Sequence, residues 1–244
     1  MNTVESQVAY DRWHRAQGIE TTSDNPWHRQ IKSYLRDANL SISGKKVFEI
    51  GCGRGGFSCW LASQTPRAAQ VVAADFSLAA VELGKEVGQQ LGLQGIQWEQ
   101  QDIQQIRHPD RSFDWVISCE TIEHVPQPRK AIFELARILK PGGLLMLTHP
   151  NYFSTFGIYR VSLFLRGRKF EEEGQPINQP LRSLQVQGWL REAGLKRRHF
   201  GSRGHYSIWP GRAPCESKVL ASPRWLAKWW GFHPLHVAQK SVDA

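Results

Sequence analysis

The sequence predicts an α/β fold built on a doubly wound, mostly parallel sheet. Strand-like apolar runs alternate with helix-period runs from residue 46 to residue 149. Val47-Phe48-Glu49-Ile50-Gly51-Cys52-Gly53-Arg54-Gly55-Gly56-Phe57 reads as a buried strand, a glycine-rich turn and a helix start. Glu49, Asp75 and Asp102 mark the first strand and the ends of the next two, 26 and 27 residues apart, about one βα unit each. In an open parallel sheet such positions converge on one crevice.

The elements follow in order. Residues 1–44 form an N-terminal arm and a cap helix, the first 24 being polar and mixed, a loose arm anchored by Tyr10 and Trp13. Asn25-Pro26 supplies a capping side chain and a first-turn proline, and Trp27, Ile31, Tyr34, Leu35 and Ala38 share one face of the helix that follows. Strands are expected at 46–50, 70–74, 95–101, 113–119 and 143–149, with helices at 56–64, 78–91 and 127–139. The last of these is stopped by Pro141-Gly142-Gly143. Ser183 caps a later helix ended by Gly194, and two more strands are expected at 196–201 and 204–209.

Composition narrows the class. A chain of 244 residues suits one α/β domain with an appended cap, and its 41% hydrophobic content suffices for a core. No run reaches the ~18 apolar residues of a membrane span, and Met1–Glu5 lacks the pattern of a signal peptide. Cysteines 52, 59, 119 and 215 have neither metal nor disulfide-framework spacing, so reduced thiols in a cytoplasmic protein are expected.

The glycine turn also satisfies the dinucleotide fingerprint, Gly51-x-Gly53-x-x-Gly56, but its context resembles another family, the class I S-adenosylmethionine-dependent methyltransferases. Glu49-x-Gly51-x-Gly53-x-Gly55 is similar to that family's first motif and Asp75 to its ribose-binding acid. Asp102-Ile103 is similar to the pair flanking adenine. Phe113–Ile117 with Cys119-Glu120 is similar to the fourth strand, and Leu139–Gly143 to the turn before the fifth. The resemblance implies a seven-stranded sheet ending in an antiparallel pair, and S-adenosylmethionine as cofactor with S-adenosylhomocysteine as product. Its site would comprise Glu49, Gly51, Cys52, Gly53, Gly55, Asp75, Phe76, Asp102, Ile103 and Cys119.

Glu120-Thr121-Ile122-Glu123-His124 narrows the likeness to the ubiquinone-biosynthesis O-methyltransferases. By it, Glu120, Glu123 and His124 either engage a catechol-like hydroxyl or ligate a divalent metal. Two carboxylates and an imidazole suit a hard cation, yet such a Glu-His pair also simply shapes the turn into the next helix, and no metal is assigned. The catalytic candidates are His124 and His149 as general bases and Glu120 beside the transferred methyl. His205-Tyr206 is a more remote candidate.

The methyltransferase domain is set at 45–210, with a lid insertion at 150–182 whose aromatics and arginines suit an apolar or aromatic acceptor carrying an anionic group. Residues 211–244 form a basic, tryptophan-rich tail. From 196 onward nine lysines and arginines face only Glu216 and Asp243. Residues 222–231 form a short helix with Trp225, Leu226, Trp229 and Trp230 on one side and Arg224 and Lys228 opposite, which suits either packing on the domain or peripheral contact with an anionic membrane. No nucleic-acid-binding module accompanies the charge, so a small-molecule substrate is expected. An RNA methyltransferase, favoured by charge alone, and a nicotinamide-dependent oxidoreductase using the glycine turn are the alternative functions.

Overall fold

The computed structural model describes residues 3–167, 175, 177–207, 215–222 and 227–242. The first element is a helix, α1 (Thr3–Gln17), where the sequence predicted a loose arm. Its own pattern is weakly amphipathic, and tertiary contact holds it: Ser77 Oγ donates to Asp11 Oδ1 at 2.5 Å and the Ala79 amide donates to the same oxygen at 3.1 Å. Asp11 thus satisfies an orphan amide at the start of another helix, where a negative charge is favoured. α2 (Pro26–Asp37) begins at the expected proline, but Asn25 does not cap it; its amide donates to Glu20 instead.

Strands and helices then alternate as β1 (Lys46–Ile50), α3 (Gly56–Ser63), β2 (Gln70–Asp75), α4 (Leu78–Gln90), β3 (Ile96–Gln100), β4 (Phe113–Cys119), α5 (Pro128–Ile138) and β5 (Leu139–Thr148). Ser77 caps α4 by accepting from the Ala80 amide. α5 ends at Ile138, before the Pro-Gly-Gly turn rather than at it, because β5 begins at Leu139 and pairs with Phe113. The register then jumps, Trp115 pairing with Leu144. Residues 140–143 therefore form a bulge within β5. Asp114 stitches that region together, accepting the Lys46 amide at 2.8 Å and the Lys140 ammonium at 3.0 Å on each oxygen.

The remaining elements are α6 (Thr155–Leu165), α7 (Ser183–Glu192), β6 (Leu195–Arg203), β7 (Tyr206–Ser207), β8 (Cys215–Glu216) and β9 (His233–Lys240). Ser183 is the first residue of α7 rather than its cap, and its hydroxyl is buried without a partner. β7 does not join the main sheet; it pairs with β8.

The main sheet has seven strands in the order β3-β2-β1-β4-β5-β9-β6. β9 inserts antiparallel between β5 and β6, so residues 233–240 belong to the sheet, contrary to a tail starting at 211. Leu235, Val237 and Ala238 are buried there. Both faces of the sheet are covered, as near-continuous apolar strands require. Phe48, Ile50, Val116, Leu145 and Leu147 pack under α5 and α7, while Val47, Ile117, Met146 and Val237 pack with Ile31, Leu35, Phe57 and Leu61 of α2 and α3. No helix among the described residues is long and apolar enough to cross a membrane.

Ending the chain at Phe232 removes β9, leaving β6 without a partner and β5 paired only with β4, and losing the burial of Leu235 and Val237, about 2 kcal/mol each before any ladder hydrogen bond is counted. The truncated protein should show no cooperative unfolding transition by circular dichroism. A melting temperature near that of the full chain would make residues 233–244 dispensable and contradict the topology.

Candidate functional site

The strand ends open onto one pocket of about 760 Å³, within the range of small-molecule sites. Its floor is the loop after β1. Gly51, Gly53 and Gly55 have φ of +74°, +52° and +81°. They serve different ends. A methyl group on Gly51 would lie 2.0 Å from Thr121 Oγ1, so its absence lets the β1 and β4 loops meet. A methyl on Gly55 would lie 2.5 Å from the Trp98 ring and 2.8 Å from Gly84 Cα, so Gly55 serves helix–sheet packing and does not line the pocket. Gly53 has nothing within 3.8 Å of that position and faces the open space.

Asp75, at the end of β2, holds this loop. Its Oδ2 accepts the Gly53 amide and its Oδ1 the Ser77 amide, both at 2.9 Å. Each oxygen keeps a further lone pair for the pocket. Phe76, Asp102 and Ile103 line the adjacent wall, and Asp102 is fixed by the Gln104 amide at 2.8 Å. Cys52 and Cys119 also line the pocket, and burial pushes both thiols well up, so neither is a thiolate nucleophile.

Glu49 is placed differently from the expectation that it touches the cofactor. It is 1% exposed, lies outside the pocket and accepts a hydrogen bond from Ser58 Oγ on α3. Burial raises its carboxyl to about 8. It joins β1 to α3 beneath the loop.

The N-terminal segment roofs the pocket. Arg54 donates to the carbonyls of Gln17 at 2.9 Å and Gly18 at 3.2 Å and pairs with Glu20 at 3.2 Å. Tyr10 Oη donates to the His124 carbonyl at 3.3 Å. His28 stacks on Phe57 at 4.5 Å, and burial lowers its imidazole to about 3, hence neutral. His14 is likewise lowered by burial, and its Nδ1 is buried without a partner.

Glu120, Glu123, His124, Gln175, Ile177 and His233 also line the pocket. His124 Nδ1 contacts the Ile177 carbonyl at 2.7 Å and therefore carries the proton, leaving a lone pair on Nε2. The described end of the insertion is strapped alongside: the Gln179 amide donates to the Glu123 carbonyl at 2.8 Å. Glu120 has φ +46°, and its Oε2 receives His233 Nδ1 at 3.0 Å. Glu120, Glu123 and His124 do not converge: among the described residues no group of three His, Cys, Asp or Glu is arranged to hold a metal.

His149 is displaced from its predicted role. It is fully buried outside the pocket, with Nδ1 2.9 Å from the Pro150 carbonyl and Nε2 3.2 Å from His236 Nε2, and burial lowers it to about 4. His205 is buried too, its Nε2 bonding the Ala227 carbonyl at 2.8 Å. Of the arginines expected to bind an anionic acceptor group, those among the described residues are not in the lining. Arg160 sits over the Tyr152 ring, Arg166 is exposed, and Arg168 and Lys169 lie outside the described residues. Sequence reasoning missed His233, Thr121, His28 and Gln101. For His233 a weak signal existed, the apolar residues Phe232, Leu235, Val237 and Ala238, though Pro234 and two histidines interrupt them.

Charge and shape together fit the sulfonium nucleotide implied by the resemblance. Five carboxylates and a single guanidinium line the pocket among the described residues, an electronegative cleft suited to a cation. The glycine loop gives backbone access, and Asp75 has acceptor capacity to spare.

Comparison with known proteins agrees. Residues 48–147 match the family described as "Methyltransferase domain". The chain is 27% identical over 213 residues to a ubiquinone biosynthesis O-methyltransferase of Xanthomonas euvesicatoria, covering 86% of this chain and 85% of that protein. It is 32% identical over 127 residues to phthiotriol/phenolphthiotriol dimycocerosates methyltransferase 1 of Mycobacterium ulcerans, covering 52% of this chain and 45% of that one. Among solved structures, a SAM-dependent methyltransferase from Aquifex aeolicus superposes with a TM-score of 0.58 at 18% identity, covering 88% and 94% of the two chains, which establishes the fold.

Glu49 yields a pH prediction. Its native value of about 8 stands above the ordinary 4.5, so between those values the native state holds a proton that the unfolded chain releases. Its contribution to stability is therefore fully present below pH 4.5 and is lost as pH rises to about 8. Glu49→Gln should flatten this limb, making the variant more stable than wild type at pH 8 by about 2–4 kcal/mol in urea titrations. Parallel pH profiles for the two proteins would show that Glu49 is not held protonated.

Proposed function

The chain is a class I S-adenosylmethionine-dependent methyltransferase, and we propose that it moves the methyl group to an oxygen of a small lipophilic, aromatic or saccharide acceptor. The observation that carries the reading is the junction of the Asp75-anchored glycine loop with an imidazole- and carboxylate-lined end in one pocket. When bound, the sulfonium supplies an electrophilic methyl for in-line displacement. The protein supplies position and a dry site.

In this reading Asp75 accepts hydrogen bonds from the ribose hydroxyls, and Asp102 with Ile103 and Phe76 holds the adenine. Gly51, Cys52 and Gly53 line the methionine moiety, Cys119 borders the methyl, and Glu49 supports the loop from beneath. His124 and Glu120 border the acceptor. Oxygen as the acceptor atom is supported by the Xanthomonas relative, named an O-methyltransferase, with which most of both chains aligns. The sparse cation content of the lining among the described residues favours a neutral hydroxyl over an anionic group.

A lipophilic acceptor is supported by an apolar surface near α6: Phe153, Phe164 and Leu165 are 64%, 75% and 79% exposed, and Trp230, 41% exposed, stacks on Phe153 at 5.6 Å. Such a surface suits peripheral contact with an anionic membrane. Of the predicted 222–231 helix, Arg224, Trp225 and Leu226 lie outside the described residues, and Trp229 packs on Phe200 at 4.7 Å. Among the described residues, docking then rests on Trp230 and α6.

Labelled methyl from S-adenosylmethionine should enter an extract of the source cells and partition into the organic phase, with Asp75→Ala as the inactive blank. Label in the aqueous phase would remove the lipophilic acceptor and the membrane contact, and nuclease-released label would identify RNA. No label above the blank would contradict methyl transfer.

A further inference from the structure

We propose that Glu120 and His233 form a dyad in which His233 Nε2 takes the proton of the acceptor hydroxyl and Glu120 is the positioning residue. The inference rests on the methyl-transfer reading and adds to it the group that activates the acceptor.

The two residues are 113 apart in sequence and come from opposite directions, Glu120 from the loop after β4 and His233 from the start of antiparallel β9. Their contact is 3.0 Å between His233 Nδ1 and Glu120 Oε2. A carboxylate can only accept, so Nδ1 carries the proton and the lone pair lies on Nε2. The ring belongs to the pocket lining, and its side chain is only 7% exposed.

Everything around the pair fixes it. The His233 backbone is held by Gln30 Nε2, which donates to its carbonyl at 2.7 Å. The ring packs between Phe232 at 4.6 Å and Trp27 at 5.2 Å, and a methyl group on Gly204 would come within 3.0 Å of its Cδ2. Glu120 is held by its amide, which donates to the Thr148 carbonyl at 3.2 Å, and it occupies the left-handed backbone region at φ +46°. A non-glycine residue there is strained and persists where the surroundings demand it. Glu120 Oε1 is buried without a partner, so Oε2 is the oxygen committed to the imidazole.

His124 is the competing base, and the geometry favours His233. His124 Nδ1 faces the neutral Ile177 carbonyl, whereas His233 Nδ1 faces a carboxylate, which stabilises the imidazolium formed on proton uptake. Glu123 Oε1 already lies 3.5 Å from His124 Nε2. Burial also holds His124 below its ordinary value, which disfavours proton uptake on it.

The acceptor oxygen forms its bond to the methyl carbon, the C–S bond breaks with its electron pair going to sulfur, and the hydroxyl proton passes to His233 Nε2. The resulting imidazolium sits beside the Glu120 carboxylate and returns its proton to water on product release.

Two readouts test the dyad. Long-range ¹H–¹⁵N spectra of histidine-labelled protein, with His233→Gln to assign the signal, should show His233 as the Nδ1–H tautomer, and Glu120→Gln should shift it toward Nε2–H. A wild-type His233 protonated at Nε2 would overturn the proposal without reference to activity. In labelled-methyl transfer to the reactive extract fraction, His233→Gln should lose about 100-fold in turnover, with S-adenosylhomocysteine affinity within about twofold of wild type, and His124→Gln should lose less. A His233→Gln protein that binds S-adenosylhomocysteine and keeps wild-type turnover would likewise overturn it. Failure of the wild type to label any fraction would instead count against the methyl-transfer reading, the tautomer still deciding the dyad.

Discussion

The site depends on the carboxylate of Asp75. One side chain accepts the Gly53 amide from the loop after β1 and the Ser77 amide at the start of α4. It thereby locks two adjacent strand ends into one rim, and α1 is added when Asp11 caps the same helix through Ser77 and Ala79. Backbone amides given to a buried carboxylate are worth more than neutral pairs and cost more to orphan. The roof of the pocket, the glycine floor and the start of α4 are therefore not independent pieces.

Much of this was legible in the sequence because it is written in local periodicity. β1 to α5 are apolar runs at spacings of two or 3.6 residues, bounded by glycine, proline or a capping serine, and they occur where predicted. What escaped is structure whose cause is distant. α1 has no strong apolar face; it is helical because α4 offers Asp11 two donors. β9 was hidden by the basic, tryptophan-rich composition around it, although Leu235 and Val237 are buried. Missing β9 also meant missing His233, since nothing local links it to Glu120.

The same distinction runs through the site residues. Asp75, Asp102, Ile103, Gly51 and Gly53 sit at strand ends, and a parallel sheet brings strand ends together by construction. Glu49, Gly55 and His149 carry the right residue types but point elsewhere. Glu49 ties β1 to Ser58, Gly55 makes room for Trp98, and His149 pairs with His236. Motif position alone does not reveal which face of a strand or loop a side chain takes. The pocket's electronegative lining is an emergent property of the same kind, assembled from acids on several separate segments.

The central claim is that the Asp75-anchored glycine loop is a sulfonium-nucleotide site and not a dinucleotide one. Isothermal titration of the wild-type chain with S-adenosylhomocysteine and, separately, with NAD tests it most directly. Saturable one-to-one binding of S-adenosylhomocysteine, with no heat from NAD, is the predicted result. Binding of NAD in preference to S-adenosylhomocysteine would contradict the account at its base.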